Sequence, residues 1–581
     1  MNARRVLMAR ARHAPLVGLL ICVLCASACA SSSDSRPASP AGPGAAPAAA
    51  NQTAARKLVT VGIQREPGGF LGLAPDLGIG GGAKNAEMLP HERLVVLNDR
   101  GEYQPQLAVE QISVEKRTWK VNTDGSMDVT WKVHPNVVWH DGTPFTVEDV
   151  IFALNVRRDP EIGARIPGRP DLIESVVVVD AHTLVVHWSA LYANANRAEG
   201  LEPAPRHLLE SAYRADKTSL ANSPYLTTEF VGLGAYRLVR WDRGSHMEFA
   251  PFEGHYRGRP RLDGIVIRFL GDPNTMVANI LASSVDVLLP EGVGLESALE
   301  IRRRWEGTGN EVRFDFEGDL DMIDSQHRRD VARPSNGLTN RVVREAFYRA
   351  IDRQALTDAV NDGMAPVADS WFSPSDQRRA EVETAIPQYP YDVARAQQLL
   401  ASAGWLRASD GVLTHAETGE RFISEIRSSQ GSEQEMGVLA NFWKAIGAQI
   451  EILVIPSARQ GDREYAANFP GMLIESPPSY RFYEDRYHTR RLASAETRWT
   501  GTNRSGYLNG AVDALTDRLS VTIDAGQRIP IHRELLQTFL GDVAIMPLYW
   551  EVVPVLTVKG VKTVRIADST ATWEMTAWDR E

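Results

Sequence analysis

A chain of 581 residues is too long for one ordinary hydrophobic core and calls for two or three domains. Its 43% hydrophobic and 23% charged residues exclude wholesale disorder, and a net charge of −10 argues against a general nucleic-acid binder, so no nucleic acid is expected among its partners.

The chain opens on a targeting pattern. Arg4, Arg5, Arg10 and Arg12 form a positive stretch, residues 16–24 an apolar one, and Ala26-Ser27-Ala28 precede Cys29. The apolar run is too short to span a bilayer comfortably. All three cysteines, Cys22, Cys25 and Cys29, lie here, so the body of the protein has no disulfide framework, thiolate metal site or cysteine nucleophile. Residues 30–56 are rich in Pro, Ala and Ser and read as a flexible tether.

Order is expected from residue 57, with a first strand at 58–61 and a Gly- and Pro-rich loop at 67–82. The GIGGGAK run at 78–84 is no phosphate loop, because Lys84 is followed by Asn85 and the glycine spacing is wrong. Strands are expected at 128–133 and 137–139. Asp141-Gly142 suits a tight turn, and Thr146 with Asp149 suits a helix start. His140 and Asp141 are read as structural. A hairpin is expected around 180–182, with strands at 236–239 and 265–269 beyond it. The middle is helical. Residues 341–351 place Val342, Ala346 and Ile351 near one face, and the helices at 393–403 and 435–446 stop at Gly404 and Gly447. A strand at 449–454, a helix at 527–541 and strands from 544 to 558 complete an α/β pattern with more than one lobe and no internal repeat.

The string VVWHDGTPFTVEDV (137–150) resembles a signature of the bacterial extracellular solute-binding proteins of family 5, the peptide- and nickel-type receptors of ABC importers. Other segments resemble the family in the same order: GEYQPQLA (101–108), PRHLL (205–209), GLGAYRL (232–238), GHYRGRP (254–260), VVREA with AIDR (342–346 and 350–353), YDVARAQQLL (391–400), AGW (403–405) and IMPLY (545–549). They cover about residues 57 to 567.

The resemblance implies a two-lobed, hinged periplasmic-binding-protein fold that closes on a ligand held in the cleft. Lobe 1 would comprise 57–285 and 548–581, with a strand-rich subdomain near 100–205, and lobe 2 would comprise 286–547. The N-terminal pattern resembles a lipoprotein signal (residues 1–29) that leaves Cys29 lipidated. The implied protein is an exported, lipid-anchored monomer, periplasmic or at the cell surface, with permease subunits and their ATPases as partners. It would need no cofactor and perform no catalysis.

The expected solute is a peptide; a nickel chelate, an opine or a sugar is the alternative. Peptide-binding relatives carry a Trp-x-x-Asp segment whose carboxylate pairs with the peptide's α-amino group. Here the corresponding stretch is GMLIESPP (471–478), with Glu475 as the candidate carboxylate and Met472 where the Trp stands. Tyr549, Trp550, Trp371 and Phe372 are candidates for stacking on a ligand, and Arg65 and Glu66 for the cleft mouth. Arg344 and Arg353 are expected to pair with acids or helix ends. The 13 histidines show no paired spacing, so no metal site is expected. A secreted enzyme and a sensory lipoprotein are further alternatives, although no H-E-x-x-H or G-x-S-x-G motif appears.

Overall fold

Two long antiparallel strands, Glu311–Ser325 and Ile545–Thr557, organise the computed structural model. It describes residues 56–73, 83–98, 102–162, 164, 168–290, 292–429, 431–459, 461–477, 483–565 and 572–581. The expected targeting segment with Cys29, nearly all of the expected tether and most of the GIGGGAK run lie outside these residues.

The long strands pair from Glu311 opposite Thr557 to Asp324 opposite Ile545, with the register broken between Phe316 and Leu320. They sit in the middle of a ten-stranded mixed sheet. On one side follow Val287–Leu288, Leu58–Ile63, Gly264–Phe269, His246–Pro251 and Tyr236–Asp242. On the other follow Met472–Glu475, Ile423–Ser428 and Gln449–Val454.

Each half has its own cores. Val61, Phe249, Ile265 and Trp578 pack together in the first half, with Leu288, Trp305 and Leu556 in an adjoining cluster. In the second, Ile323, Phe347, Ile426 and Trp443 form one cluster, and Leu320, Trp371, Phe539 and Trp550 another. A separate four-stranded sheet, in the order Trp119–Val121, Met127–Lys132, Thr183–Trp188, Ile173–Asp180, carries a core of its own around Trp131, Trp139 and Phe145. This is the expected α/β class with a strand-rich subdomain.

Several of the recurring sequence segments touch one another. The His140 ring sits between two backbone groups: Gly232 N–H donates to Nδ1 at 3.2 Å, and Nε2–H donates to Gly234 O at 2.9 Å. Burial pushes its pKa down to about 4, so the ring is neutral and can both accept and donate. Asp141 accepts from His207 Nε2 at 2.7 Å, and Asp149 accepts from Thr146 N–H and Arg206 N–H. Segments 137–150, 205–209 and 232–238 therefore form one clasp, which accounts for the His-Asp pair without catalysis.

Two local expectations need correction. Residues 137–139 form no strand. Trp139 N–H bonds Thr143 O and Phe145 N–H bonds Val137 O, so the segment closes on itself as a tight loop instead of pairing along a neighbour. The helix Arg341–Arg349 buries Val343, Ala346 and Phe347, whereas Val342 is only partly buried and Ile351 lies beyond its end. The charge pattern misleads there because Arg344 is itself buried. Its guanidinium donates to the carbonyls of Leu338, Thr339, Asp542 and Val543, capping the end of the Ala525–Gly541 helix region. Arg353 likewise donates to Tyr348 Oη and to the carbonyls of Ala368 and Tyr389.

Gly234 lets its backbone lie against Leu89 and Pro90, where a Cβ would fall inside the contact distance of Leu89 O. Gly234→Ala should destabilise the chain by about 2 kcal/mol or more. Gly437 faces open space in the Glu433–Ile446 helix, so Gly437→Ala should stabilise by up to about 1 kcal/mol. Urea midpoints of the two variants against wild type check both signs.

Candidate functional site

The register break brings polar groups to the point where the two half-sheets meet. Successive side chains of a strand alternate in direction, so Asp321 and Ile323 look to one face of Glu311–Ser325, and Met322 and Asp324 to the other. On the first face Asp321, only 4% exposed, stands opposite Tyr549 in the register. Ser476 Oγ donates to Asp321 Oδ2 at 2.9 Å, and Tyr549 Oη donates to Glu435 Oε1 at 3.0 Å. Glu435 comes from the first turn of the Glu433–Ile446 helix and is 6% exposed.

Asp321 and Glu435 also lie close enough for their carboxyls to influence each other directly. Two carboxylates are acceptors only, so a hydrogen bond between them needs a proton. Burial, with the negative charges of Glu435 and Glu551 nearby, holds the Asp321 carboxyl well above the usual range, and burial pushes Glu435 up to about 7. The pair can hold a proton at neutral pH.

On the other face Glu475, 12% exposed at its side chain, is bound by the guanidinium groups of Arg486 and Arg504. Asp324 is fully buried, accepts from Tyr487 Oη at 3.1 Å, and has its carboxyl raised by burial. The Glu475 carboxylate is thus already balanced by two cations, unlike the Asp321–Glu435 pair.

The other candidates are dispersed. Met472 is buried in the core with Ile426 and Met546. Trp550 and Trp371 are buried in one cluster, Trp371 edge-on to Phe539, and Phe372 meets His532 edge-on. Tyr549 alone of the four aromatic candidates contributes a polar contact to the acidic pair. Glu66 binds the turn after Tyr236–Asp242, accepting from Trp241 Nε1 at 2.7 Å and Gly244 N–H at 2.8 Å and pairing with Arg243. Arg65 is exposed. Among the described residues no group of three His, Cys, Asp or Glu is placed to hold a metal ion.

Sequence reasoning missed Asp321, Glu435, Arg486 and Arg504. A signal existed for Asp321: the run DLDMID (319–324) sets three acids among apolar residues inside a strand, and a strand buried on both faces has no solvent for those acids. Glu435 reads in sequence as an ordinary acid in a helix's first turn. Arg486 and Arg504 carry no local signal.

The family model described as "Bacterial extracellular solute-binding proteins, family 5 Middle" matches residues 102–493. The chain belongs to this family. It is 21% identical over 439 residues to the oligopeptide-binding protein AppA of Bacillus subtilis, covering 74% of this chain and 76% of that protein. Its fold is similar to that of the oligopeptide-binding protein of Thermus thermophilus solved with a pentapeptide, with a TM-score of 0.71 at 19% identity over 90% of this chain and 96% of the other. NikZ of Campylobacter jejuni, solved with Ni(L-His), is equally similar, with a TM-score of 0.72 at 19% identity over 90% and 99%. The family's two-lobed, hinged architecture accounts for a sheet with two sets of cores joined by two strands.

A carboxyl held protonated by the fold binds its proton more tightly folded than unfolded. Glu435 therefore costs stability as pH rises from its usual value near 4.5 through about 7, and no further above that. The urea midpoint should fall across this window, by at most about 1.4 kcal/mol per pH unit for this group. Glu435→Gln should flatten that dependence; an unchanged slope would remove the protonated pair.

Proposed function

We propose that the chain is the receptor subunit of an ABC importer, capturing a peptide in the cleft between its lobes and delivering it to a permease driven by its ATPases. The observation that carries this reading is the pair of long strands shared by two half-sheets, in a chain that belongs to a solute-binding family. Two strands crossing side by side permit hinge motion with little loss of core contact, since each half keeps its own apolar clusters.

In this reading the lobes meet at the register break, 316–320 opposite 550–552. Residues 287–305 then go with the first lobe, a later boundary than the expectation near 285, because Leu288 and Trp305 pack with Leu556 and Val558. The subdomain near 100–205 belongs to lobe 1. Cys29 carries the lipid anchor of an exported, monomeric receptor, and residues 30–56 hold it off the membrane. Binding and release require no covalent step, so the receptor is not an enzyme.

The ligand lies beside the crossing strands, near Glu475 and Tyr549. A second reading, a non-peptide solute such as a metal chelate, draws support from Glu475. With Arg486 and Arg504 already on its carboxylate, Glu475 is compensated and offers little to a ligand's amine. The similarity to NikZ points the same way.

Mass spectrometry of small molecules released from the denatured, freshly purified protein tests the reading directly, and a thermal-shift screen with peptides of two to six residues follows it. A peptide at a hundred times its Kd should add about 2.7 kcal/mol of stability and a clear rise in Tm. If no peptide raises Tm while a sugar or chelate does, the solute class is wrong. Equal binding of N-acetylated and free peptides would show that no carboxylate here reads the α-amine.

A further inference from the structure

The four-stranded subdomain and the helical part of the second half touch at a compact knuckle, Val521–Asp524, between two helices. The Gly510–Val521 helix ends there, and Asp524 caps the next helix by accepting from Gln527 N–H at 2.8 Å. Arg528 braces the turn by donating to Leu519 O at 2.6 Å and Thr522 O at 3.2 Å. Ser520 O is one of the carbonyls that a helix end leaves without an intrahelical partner. Ala193 N–H, from the loop after Thr183–Trp188, reaches across and donates to it at 2.7 Å. Beside this bond Ile523 packs against the subdomain core that holds Trp188, Tyr192 and Ala195.

Charges are arranged around the same junction in matching pairs. Arg169 is paired with Asp171 within the subdomain at 2.7 Å, and Arg491 with Asp485 on the opposite side at 2.5 Å. The two pairs are within electrostatic reach of each other. Arg169 feels the negative charge of Asp485, and Asp171 the positive charge of Arg491. Each charge keeps its own partner when the surfaces separate, so opening strands no buried ion. Among the described residues closure adds the weak attraction between two facing pairs, one apolar side chain and two hydrogen bonds, the second a long one from Gln377 Nε2 to Glu102 Oε1 at 3.5 Å. Each of those terms is small alone, which suits a contact that must make and break.

We propose that the knuckle, through Ile523 and the Ser520–Ala193 hydrogen bond, is a reversible latch that holds the subdomain against the second lobe and sets how much of the ligand-free receptor is closed. This goes beyond the receptor reading, since it assigns part of the closing free energy to contacts between protein surfaces with no ligand between them. A latch of this kind raises apparent affinity by populating the binding-competent state in advance.

The test is a distance measurement by pulsed electron paramagnetic resonance in the full chain without added ligand. Cys22, Cys25 and Cys29 are changed to serine, which leaves no native thiol. Nitroxides are placed by Val178→Cys and Leu508→Cys, at sites that are 39% and 60% exposed. Ile523→Asp should lower the short-distance population at least about twofold and add a longer component. Val521→Asp, on the exposed side of the same turn, should leave the distribution unchanged. Ile523→Ala should act in the same direction with smaller amplitude, which keeps the test decisive if the aspartate variant folds poorly, with circular dichroism and Tm as the check on folding. Identical distributions for wild type and both folded Ile523 variants would overturn the latch. An equal shift with Val521→Asp would do the same, because it would assign the effect to the turn and not to the contact. Neither outcome depends on which solute is bound, so the receptor reading stands or falls on its own experiment.

Discussion

The pairing of Glu311–Ser325 with Ile545–Thr557 is the constraint on which the remaining structure depends. Two strands that run through both halves of one sheet must satisfy the hydrogen-bond ladder on each side while allowing the halves to differ in twist. The register break between Phe316 and Leu320 is where the ladder yields. Around it, apolar residues give way to Asp321, Glu435, Tyr549 and Ser476. A continuous apolar core across that point would weld the halves together; buried polar groups bonded to one another keep it specific without doing so.

Charge burial follows the same logic. Glu475 and Asp324 are surrounded by arginine guanidiniums and a tyrosine hydroxyl, so their carboxyls are solvated by protein. Asp321 and Glu435 have mainly each other, Ser476 and Tyr549. Such an acidic pair, close to the register break, favours a bound proton, whereas Glu475 across the strand is compensated by two arginines.

The recurring segments of the sequence act elsewhere. His140, Asp141, Arg206, Gly232 and Gly234 clasp the subdomain to the first half-sheet by backbone contacts that few other residues can make. Arg344 and Arg353 saturate carbonyls at helix and loop ends. These residues specify how the framework is assembled, and they say little about the solute.

Element types and the family's framework were legible in the sequence by itself. Hydrophobic periodicity, capping residues and glycine stops are local, and they located the helices ending at Gly404 and Gly447, the hairpin around Asp180 and the strand at 449–454. The ordered series of motifs supplied the family. The failures were also local in origin: Val137–Trp139 has strand-forming residues but no neighbour to pair with, and Arg344 is charged but buried because its partners arrive from residues 542 and 543. Only the tertiary structure decided the site. Asp321 and Glu435 are more than a hundred positions apart, as are Ala193 and Ser520, and Glu475 meets Arg504 only because the chain doubles back. The charge a group keeps depends on its neighbours in space, and nothing in the one-dimensional pattern states who those neighbours are.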